Sequence, residues 1–198
     1  MDLALFDFDG TITTIETFPV FIRRAVPVAR MVAGGAVLAP LLAGYKAGMV
    51  SGKTVRAAMV GVGLRGVPEN RVREVGHRFA NEFLPRVVRP TAIERVQWHK
   101  TRGDIVVIVS AALDLYLEEW ARPFGLDVVC SRLEARNGRL TGRYHGRDCC
   151  GPQKTARILA QYDLERYGEI YAYGDTIEDE EMLSLAGKRY FRWQERTP

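Results

Sequence analysis

Two aspartates separated by one residue follow a short apolar run near the start of the chain. The run is Leu3–Phe6, and Asp7, Asp9, Gly10 and Thr11 come directly after it. Alternate residues of a strand point the same way, and parallel sheets bind ligands beyond the carboxyl ends of their strands. Two carboxylates placed there can bind a cation or exchange protons. A strand-ending turn, which aspartate commonly makes, is the alternative interpretation.

A second acidic cluster follows another strand-like segment near the end of the chain. Asp175 lies just beyond Ile170–Tyr173, and Asp179 follows four residues later. The helix dipole explains acids at a helix start but not a carboxylate at a strand end. Two such strand ends would repel by roughly 4 kcal/mol for charges ~4 Å apart at an effective dielectric of about 20. A divalent cation would relieve this repulsion, and ligands that are all oxygen favour Mg²⁺.

A serine and a lysine add a hydroxyl and a positive charge. Ser110 follows the β-branched run Ile105–Val109, and Lys154 opens a helical pattern. Each alone is typical of a helix cap or a solvated surface residue. Together they supply what a transferring phosphoryl group needs, because its catalysis is mostly positioning and charge neutralisation.

The elements that must position these residues alternate between strands and helices. The predicted strands are Leu3–Phe6, Ile105–Val109, Val128–Cys130, Ile170–Tyr173 and Arg189–Phe191, and the predicted helices are Leu113–Ala121, Lys154–Tyr162 and Glu178–Leu185. This alternation predicts an α/β fold with a parallel sheet. The pair Asn137-Gly138 predicts a hairpin with a type I′ turn. Residues 15–89 have no strand pattern, so we expect a helical domain there, inserted into a core of residues 1–14 and 90–198.

Four motifs in this order resemble the haloacid dehalogenase (HAD) superfamily of phosphatases. They are DFDGT (Asp7–Thr11), the segment VIVSA that contains Ser110, the region of Lys154, and GDTIED (Gly174–Asp179). The resemblance implies a Rossmann-like HAD core, with a helical C1 cap inserted between the first and second motif strands. The all-helical insertion and the segment GRLTGRYHGRDCCGPQKTARI are similar to subfamily IB. That subfamily includes phosphoserine phosphatases and the phosphatidylglycerophosphatase C type.

The resemblance also implies a role for each matching residue. Asp7 would be the nucleophile that forms an aspartyl-phosphate, and Asp9 would protonate the leaving alcohol and later activate water. Mg²⁺ would be bound by Asp7, by the backbone carbonyl of Asp9 and by Asp175, with Asp179 supporting it directly or through water. Substrate-binding roles fall on five residues, of which Ser110 and Lys154 would hold the phosphoryl oxygens: Thr11, Glu16, Ser110, Ala111 and Lys154.

Departures from the phosphoserine phosphatase pattern bear on the substrate. Glu178 stands where an asparagine that assists substrate binding is usual, and Ala111-Ala112 replaces paired glycines. We therefore expect a Mg²⁺-dependent phosphomonoester hydrolase that acts on a small or amphiphilic ester. The alternatives are a phosphoserine phosphatase, a phosphotransferase, or a non-catalytic membrane-associated protein of this fold.

The apolar segment Met31–Tyr45 contains 15 uncharged residues, fewer than the ~20 of a membrane span. For the longer stretch Ala25–Val50 that contains it, the sequence favours a buried helix pair over a lipid-facing surface or a transmembrane helix. A peripheral membrane contact through the cap is therefore an alternative that stays open. A net charge of +4 without runs of Lys or Arg predicts no nucleic-acid partner. Three cysteines without a CxxC pair favour a reducing, cytoplasmic location, and nothing indicates the oligomeric state.

Overall fold

A six-stranded sheet lies at the centre of the computed structural model, which describes residues 1–196. Its strand order is β3-β2-β1-β6-β7-β8, and a separate hairpin is formed by β4 and β5. The strands are β1 (Leu3–Phe6), β2 (Ile105–Leu113), β3 (Asp127–Ser131), β4 (Leu133–Arg136), β5 (Arg139–Tyr144), β6 (Ile170–Gly174), β7 (Lys188–Phe191) and β8 (Gln194–Arg196). The predicted α/β fold with a parallel sheet is confirmed, since only β8 pairs antiparallel in the large sheet.

Helices surround this sheet, and several of them precede β2. They are α1 (Thr17–Ala25), α2 (Val28–Lys46), α3 (Gly52–Leu64), α4 (Glu69–Arg78), α5 (Pro90–Thr101), α6 (Asp114–Ala121), α7 (Pro152–Gln161) and α8 (Glu180–Ser184). Helices α1 to α4 lie between β1 and β2 in the chain, within residues 15–89, which we call the cap segment. Thr13 and Val88 pair in an antiparallel bridge where the chain leaves and re-enters the core.

Strand β1 is the middle of the parallel part of the sheet. All four of its residues are fully buried, because helices cover both faces of the sheet. Phe6, its last residue, pairs in register with Ile108 of β2 and with Tyr173 of β6. The chain segments that follow β1 and β6 therefore begin next to each other at the same edge of the sheet.

The hairpin β4–β5 turns at the dipeptide predicted from the sequence. Asn137 and Gly138 have φ values of 51° and 69°, which is the left-handed pair that a type I′ turn requires. The hairpin packs against α3, where a Cβ on Gly142 would lie 3.2 Å from the Cα of Gly61. It therefore connects the core to the cap segment.

The expectation of a buried helix pair within Ala25–Val50, which includes Met31–Tyr45, is wrong. Helix α2 covers Met31–Tyr45, and its only buried residue in the described structure is Gly34. The side chains of Val32 and Val37 are 74% and 68% exposed. The reason is that α3 covers one face of α2 and nothing in residues 1–196 covers the other. By length and composition, α2 is also the one described helix that could cross a membrane.

Candidate active site

Asp7 and Asp175 lie next to each other because their strands are neighbours. The backbone N–H of Asp7 donates to the carbonyl of Tyr173, at 2.9 Å, across the end of the sheet. Gly10 turns the chain after β1 with φ of +83°, and a Cβ there would overlap the carboxylate of Asp175. Glycine at position 10 is therefore required both by the turn and by the space that Asp175 occupies.

Three carboxylates converge at this edge of the sheet. Asp7, Asp175 and Asp179 each place an oxygen within 4.8 Å of the other two. Oδ2 of Asp179 accepts the backbone N–H groups of Asp175 and Thr176, at 3.1 and 3.0 Å, which fixes its position. A Cβ on Gly174 would lie 2.6 Å from the Cβ of Asp179, so that residue has to be small as well. The all-oxygen donor set and its spacing fit a hard divalent cation such as Mg²⁺.

Lys154 brings a positive charge into the carboxylate cluster. The residue is 2% exposed, and its ammonium donates to Oδ1 of Asp7 and, at 2.6 Å, to Oδ1 of Asp179. Burial alone would lower the pKa of Lys154, but the two carboxylates raise it well above its ordinary value. Burial raises the pKa of Asp7 well above its ordinary value, and Lys154 is the main group that opposes that rise. Lys154 is therefore a permanent cation that favours the ionised form of Asp7.

Asp9 has a different environment from that of Asp7. Burial, and then the nearby charge of Glu16, raise the pKa of Asp9 to about 7. Its Oδ1 accepts a hydrogen bond of 2.5 Å from the hydroxyl of Thr17, and that hydroxyl lies 3.0 Å from the hydroxyl of Tyr116. Asp9 can therefore both hold and release a proton near neutral pH.

A pocket of about 400 Å³ opens above these groups, between the core and the cap segment. Among the predicted site residues, the following line it: Asp7, Asp9, Glu16, Ser110, Ala111 and Lys154. Burial, and then the nearby charge of Asp175, raise the pKa of Glu16. The hydroxyl of Ser110 accepts the N–H of Ala112 at 3.1 Å, which leaves its own proton to donate toward the pocket.

Thr11 does not line the pocket, contrary to its predicted substrate-binding role. Its side chain is buried, and its hydroxyl donates to Oδ1 of Asp175 at 3.0 Å. The turn at Gly10 directs Thr11 away from the pocket and toward the end of β6. Its contribution is to orient a carboxylate.

Arg56 is a pocket residue that the sequence analysis missed. Its Nε donates to Asp148 at 2.8 Å, and its Nη2 donates to Glu178 at 3.3 Å. These two carboxylates raise the pKa of the guanidinium, although its burial would lower it. Arg56 comes from α3 of the cap segment, whereas both partners belong to core loops. No local sequence pattern indicates a contact between residues so far apart in the chain.

Thr17 and Tyr116 were also missed. Thr17 begins α1 and Tyr116 lies in α6, and both are fully buried. In the sequence, each resembles an ordinary residue of an amphipathic helix. Their link to Asp9 depends on the packing of α1 against the core.

The family model for the haloacid dehalogenase-like hydrolases matches residues 4–184. This chain is a member of that family. The match spans all four motifs, so the predicted HAD-type phosphatase identity is confirmed, as is the Rossmann-like HAD core.

Known proteins similar to this HAD-family chain include phosphoserine phosphatases. The chain is 33% identical over 193 residues to the protein CicA of Caulobacter vibrioides, which aligns 96% of this chain with 85% of CicA. It is 32% identical over 147 residues to the phosphoserine phosphatase of Archaeoglobus fulgidus, which aligns 70% of this chain with 42% of that protein. A solved structure described as a phospho-aspartyl intermediate analogue of phosphoserine phosphatase has a TM-score of 0.67 and 24% identity. It covers 96% of this chain and 85% of its own.

Proposed function

We propose that this protein is a Mg²⁺-dependent phosphomonoester hydrolase that works through an aspartyl-phosphate. The observation that carries the proposal is the contrast between two aspartates in one pocket. Asp7 contacts the permanent cation Lys154, whereas Asp9 has a pKa of about 7. A nucleophile beside a cation that favours its ionised form and an acid that can give up its proton are the two groups that this reaction needs.

In the first step, a carboxylate oxygen of Asp7 attacks the phosphorus, and the bond from phosphorus to the ester oxygen breaks. Asp9 gives its proton to the leaving alkoxide, so an alcohol departs. In the second step, Asp9 takes a proton from water while the water oxygen attacks the phosphorus. The bond between phosphorus and Asp7 then breaks, and inorganic phosphate is released with both aspartates restored.

The remaining pocket residues position the phosphoryl group. Ser110 can donate its hydroxyl proton to a phosphoryl oxygen, and Lys154 offsets the repulsion between that group and Asp7. Asp7, Asp175 and Asp179 would hold Mg²⁺, with Thr11 orienting Asp175. When bound, Mg²⁺ neutralises negative charge on the carboxylates and the phosphoryl oxygens. The structurally similar phosphoserine phosphatase, solved as a phospho-aspartyl intermediate analogue, supports the same chemistry.

An amphiphilic phosphomonoester is the substrate class that the pocket favours. A second cavity of about 180 Å³, mostly apolar, lies between α1, α2 and α3. Pro19 and Met59 line both this cavity and the catalytic pocket. An apolar group attached to a phosphate at Asp7 would therefore reach Pro19 and Met59, which the two cavities share. Phosphoserine would instead need a partner for its carboxylate, and the guanidinium of Arg56 is already shared by two acids.

Replacing the nucleophile tests the reaction. We expect Asp7→Asn to abolish hydrolysis of p-nitrophenyl phosphate in Mg²⁺ while leaving the circular dichroism spectrum unchanged. EDTA should abolish the activity of the unaltered protein. Asp163→Asn, which changes an exposed aspartate on the far loop after α7, is the matched control and should retain full activity. Activity retained by Asp7→Asn would refute the nucleophile, and no activity in any protein would favour the non-catalytic alternative.

A series of alkyl phosphates tests the substrate class. Each added methylene that enters an apolar cavity contributes about 0.8 kcal/mol, so kcat/KM should rise roughly fourfold per methylene until the cavity is full. Phosphoserine, assayed in parallel, should be a poor substrate. A preference for phosphoserine would establish the alternative of a phosphoserine phosphatase. Transfer of phosphate to added alcohols at the expense of free phosphate would establish a phosphotransferase.

A further inference from the structure

The sides of α2 that α3 leaves uncovered are apolar from Met31 to Tyr45. Val28, Val32 and Val37 are 75%, 74% and 68% exposed, and Met49, just after the helix, is 79% exposed. No charged residue occurs between Arg30 and Lys46. Within residues 1–196, no element of the chain packs on these sides.

Helix α2 is apolar on its outward side as well as on the side that contacts α3. A helix that is hydrophobic all round normally lies in a protein core or in a membrane. Here only 6% of the apolar stretch of α2 is buried inside the protein. A contiguous exposed apolar surface of this kind marks an interaction site.

The charges around α2 favour an anionic partner. Between Glu16 and Glu69 the chain has no acidic residue and seven basic ones, whereas the rest of the chain is net acidic. These basic residues are Arg23, Arg24, Arg30, Lys46, Lys53, Arg56 and Arg65. All except Arg56 are exposed, and Arg30 and Lys46 lie in the first and last turns of α2. Exposed cations around an apolar helix complement a bilayer surface that contains anionic lipids.

The contacts of α2 set its orientation to such a surface. Arg30 donates to the backbone carbonyl of Arg65 at the far end of α3, so the two helices run antiparallel along their length. A spanning α2 would pull α3 into the bilayer with Lys53 and with Arg56, which is paired to the core. The helix can therefore lie along the surface while α3 and the core stay in water.

We propose that α2 and Met49 form a docking surface for an anionic lipid bilayer. The apolar face enters the interfacial layer, and the surrounding cations contact lipid phosphates. Tyr45, in the last turn of α2, also lines the catalytic pocket, so docking brings the pocket mouth to the membrane surface. The docking surface is inferred from exposure and charge alone and does not depend on the reaction at Asp7.

Vesicle sedimentation tests the docking surface. The purified full chain is mixed with vesicles of phosphatidylcholine alone, or of phosphatidylcholine with about one third phosphatidylglycerol. We expect binding to the anionic vesicles only, and weaker binding as salt is added. The double variant Val32→Asp with Val37→Asp should bind at least about tenfold more weakly. Leu159→Asp, which puts one added negative charge on an exposed apolar residue of α7, should bind like the unaltered protein.

Three results would overturn the proposal. They are no binding to either vesicle, equal binding by the double variant, and a membrane-bound fraction that alkaline carbonate fails to release, which would indicate a spanning helix. Analytical ultracentrifugation tests whether a second copy of the chain occupies this surface instead. If the unaltered protein is a dimer that does not bind vesicles, and the double variant is a monomer, the face would be assigned to a second copy of the chain. Hydrolysis of p-nitrophenyl phosphate in free solution should be unchanged in the double variant, so failure of docking and failure of the catalytic proposal are read separately.

Discussion

Asp9 is positioned by two hydroxyl groups that come from different parts of the molecule. Thr17 donates to its carboxylate, and Tyr116 lies against Thr17 on the other side. These contacts hold the carboxylate of Asp9 in one orientation at the wall of the pocket. Since proton transfer depends on geometry before it depends on pKa, this orientation would assist the proton transfer that we propose for Asp9.

We expect Thr17→Val to lower kcat roughly tenfold to a hundredfold with little change in KM. The variant keeps the shape of the side chain but removes a hydrogen bond to a charged group, which is worth about 1.5–3 kcal/mol. Steady-state kinetics with p-nitrophenyl phosphate measure both constants. The control is Thr14→Val, which changes an exposed threonine near the same turn and should leave both kcat and KM unchanged. An unchanged kcat in Thr17→Val would show that Asp9 needs no such support.

His99 is a buried titratable group outside the pocket. One ring nitrogen lies 2.8 Å from Asp104 and the other lies 2.9 Å from the hydroxyl of Tyr173. Burial lowers the pKa of His99 below its ordinary 6.5, although Asp104 opposes the shift. The unfolded chain therefore binds a proton at a higher pH than the folded protein does.

The free energy of unfolding should consequently fall as the pH drops below about 6.5, by at most about 1.4 kcal/mol per pH unit. Urea titrations across this range should give a flatter pH dependence for His99→Gln than for the unaltered protein. The matched control is His77→Gln, which changes a histidine whose side chain is 66% exposed. An identical slope in His99→Gln would mean that this histidine keeps an ordinary pKa.

The carboxylates of the site could be predicted from the sequence, whereas their supports could not. Asp7 and Asp175 follow apolar strands, and the edge at which parallel strands end is a general property of the fold. Thr17, Tyr116 and Arg56 reach the site from helices. Their roles depend on how those helices pack, and no local pattern encodes that packing.

At the scale of elements, α4 and α6 approach each other more closely than side chains normally allow. A Cβ on Gly76 of α4 would overlap the backbone carbonyl of Leu115 in α6. This contact joins the cap segment to the core, and backbone cannot move aside as the end of a side chain can. Glycine at position 76 is therefore required by the distance between the two helices.

Gly76→Ala should lower the free energy of unfolding by about 1–3 kcal/mol, the usual cost of overpacking. Gly35→Ala is the matched control, because Gly35 lies in α2 with nothing within 4 Å of its missing Cβ. Alanine has the higher helix propensity, so that variant should gain up to about 1 kcal/mol. Urea unfolding measures both changes. A loss of stability in both variants would point to the helices themselves and not to the contact.

Strands were easier to predict than the surroundings of helices. The four consecutive apolar residues Leu3–Phe6 place apolar side chains on both faces of a strand. Both faces must then be buried, so the sequence indicates a central strand. Helix α2 is equally apolar, but its composition does not say what covers it. The buried helix pair was the wrong interpretation because, within residues 1–196, most of the surface of α2 is left uncovered, and that fact belongs to the tertiary structure.

At the scale of the whole molecule, Arg56 connects the cap segment to two loops of the core. Its two carboxylate partners differ in their exposure to water. The side chain of Asp148 is 2% exposed and that of Glu178 is 38% exposed. Asp148 also accepts a hydrogen bond of 2.7 Å from Ser131, so it links the guanidinium to the end of β3.

The two ion pairs of Arg56 should therefore differ in their contribution to stability. Glu178→Gln should change the free energy of unfolding by less than about 1 kcal/mol, because water screens a half-exposed pair. Asp148→Asn should cost about 3 kcal/mol, because it leaves a largely buried guanidinium without its main counter-charge. Urea unfolding with a constant slope against denaturant would show that the native and unfolded states are otherwise unchanged. Equal losses in the two variants would mean that the cap segment is joined to the core by packing, such as the contact at Gly76, and that Arg56 adds little to it.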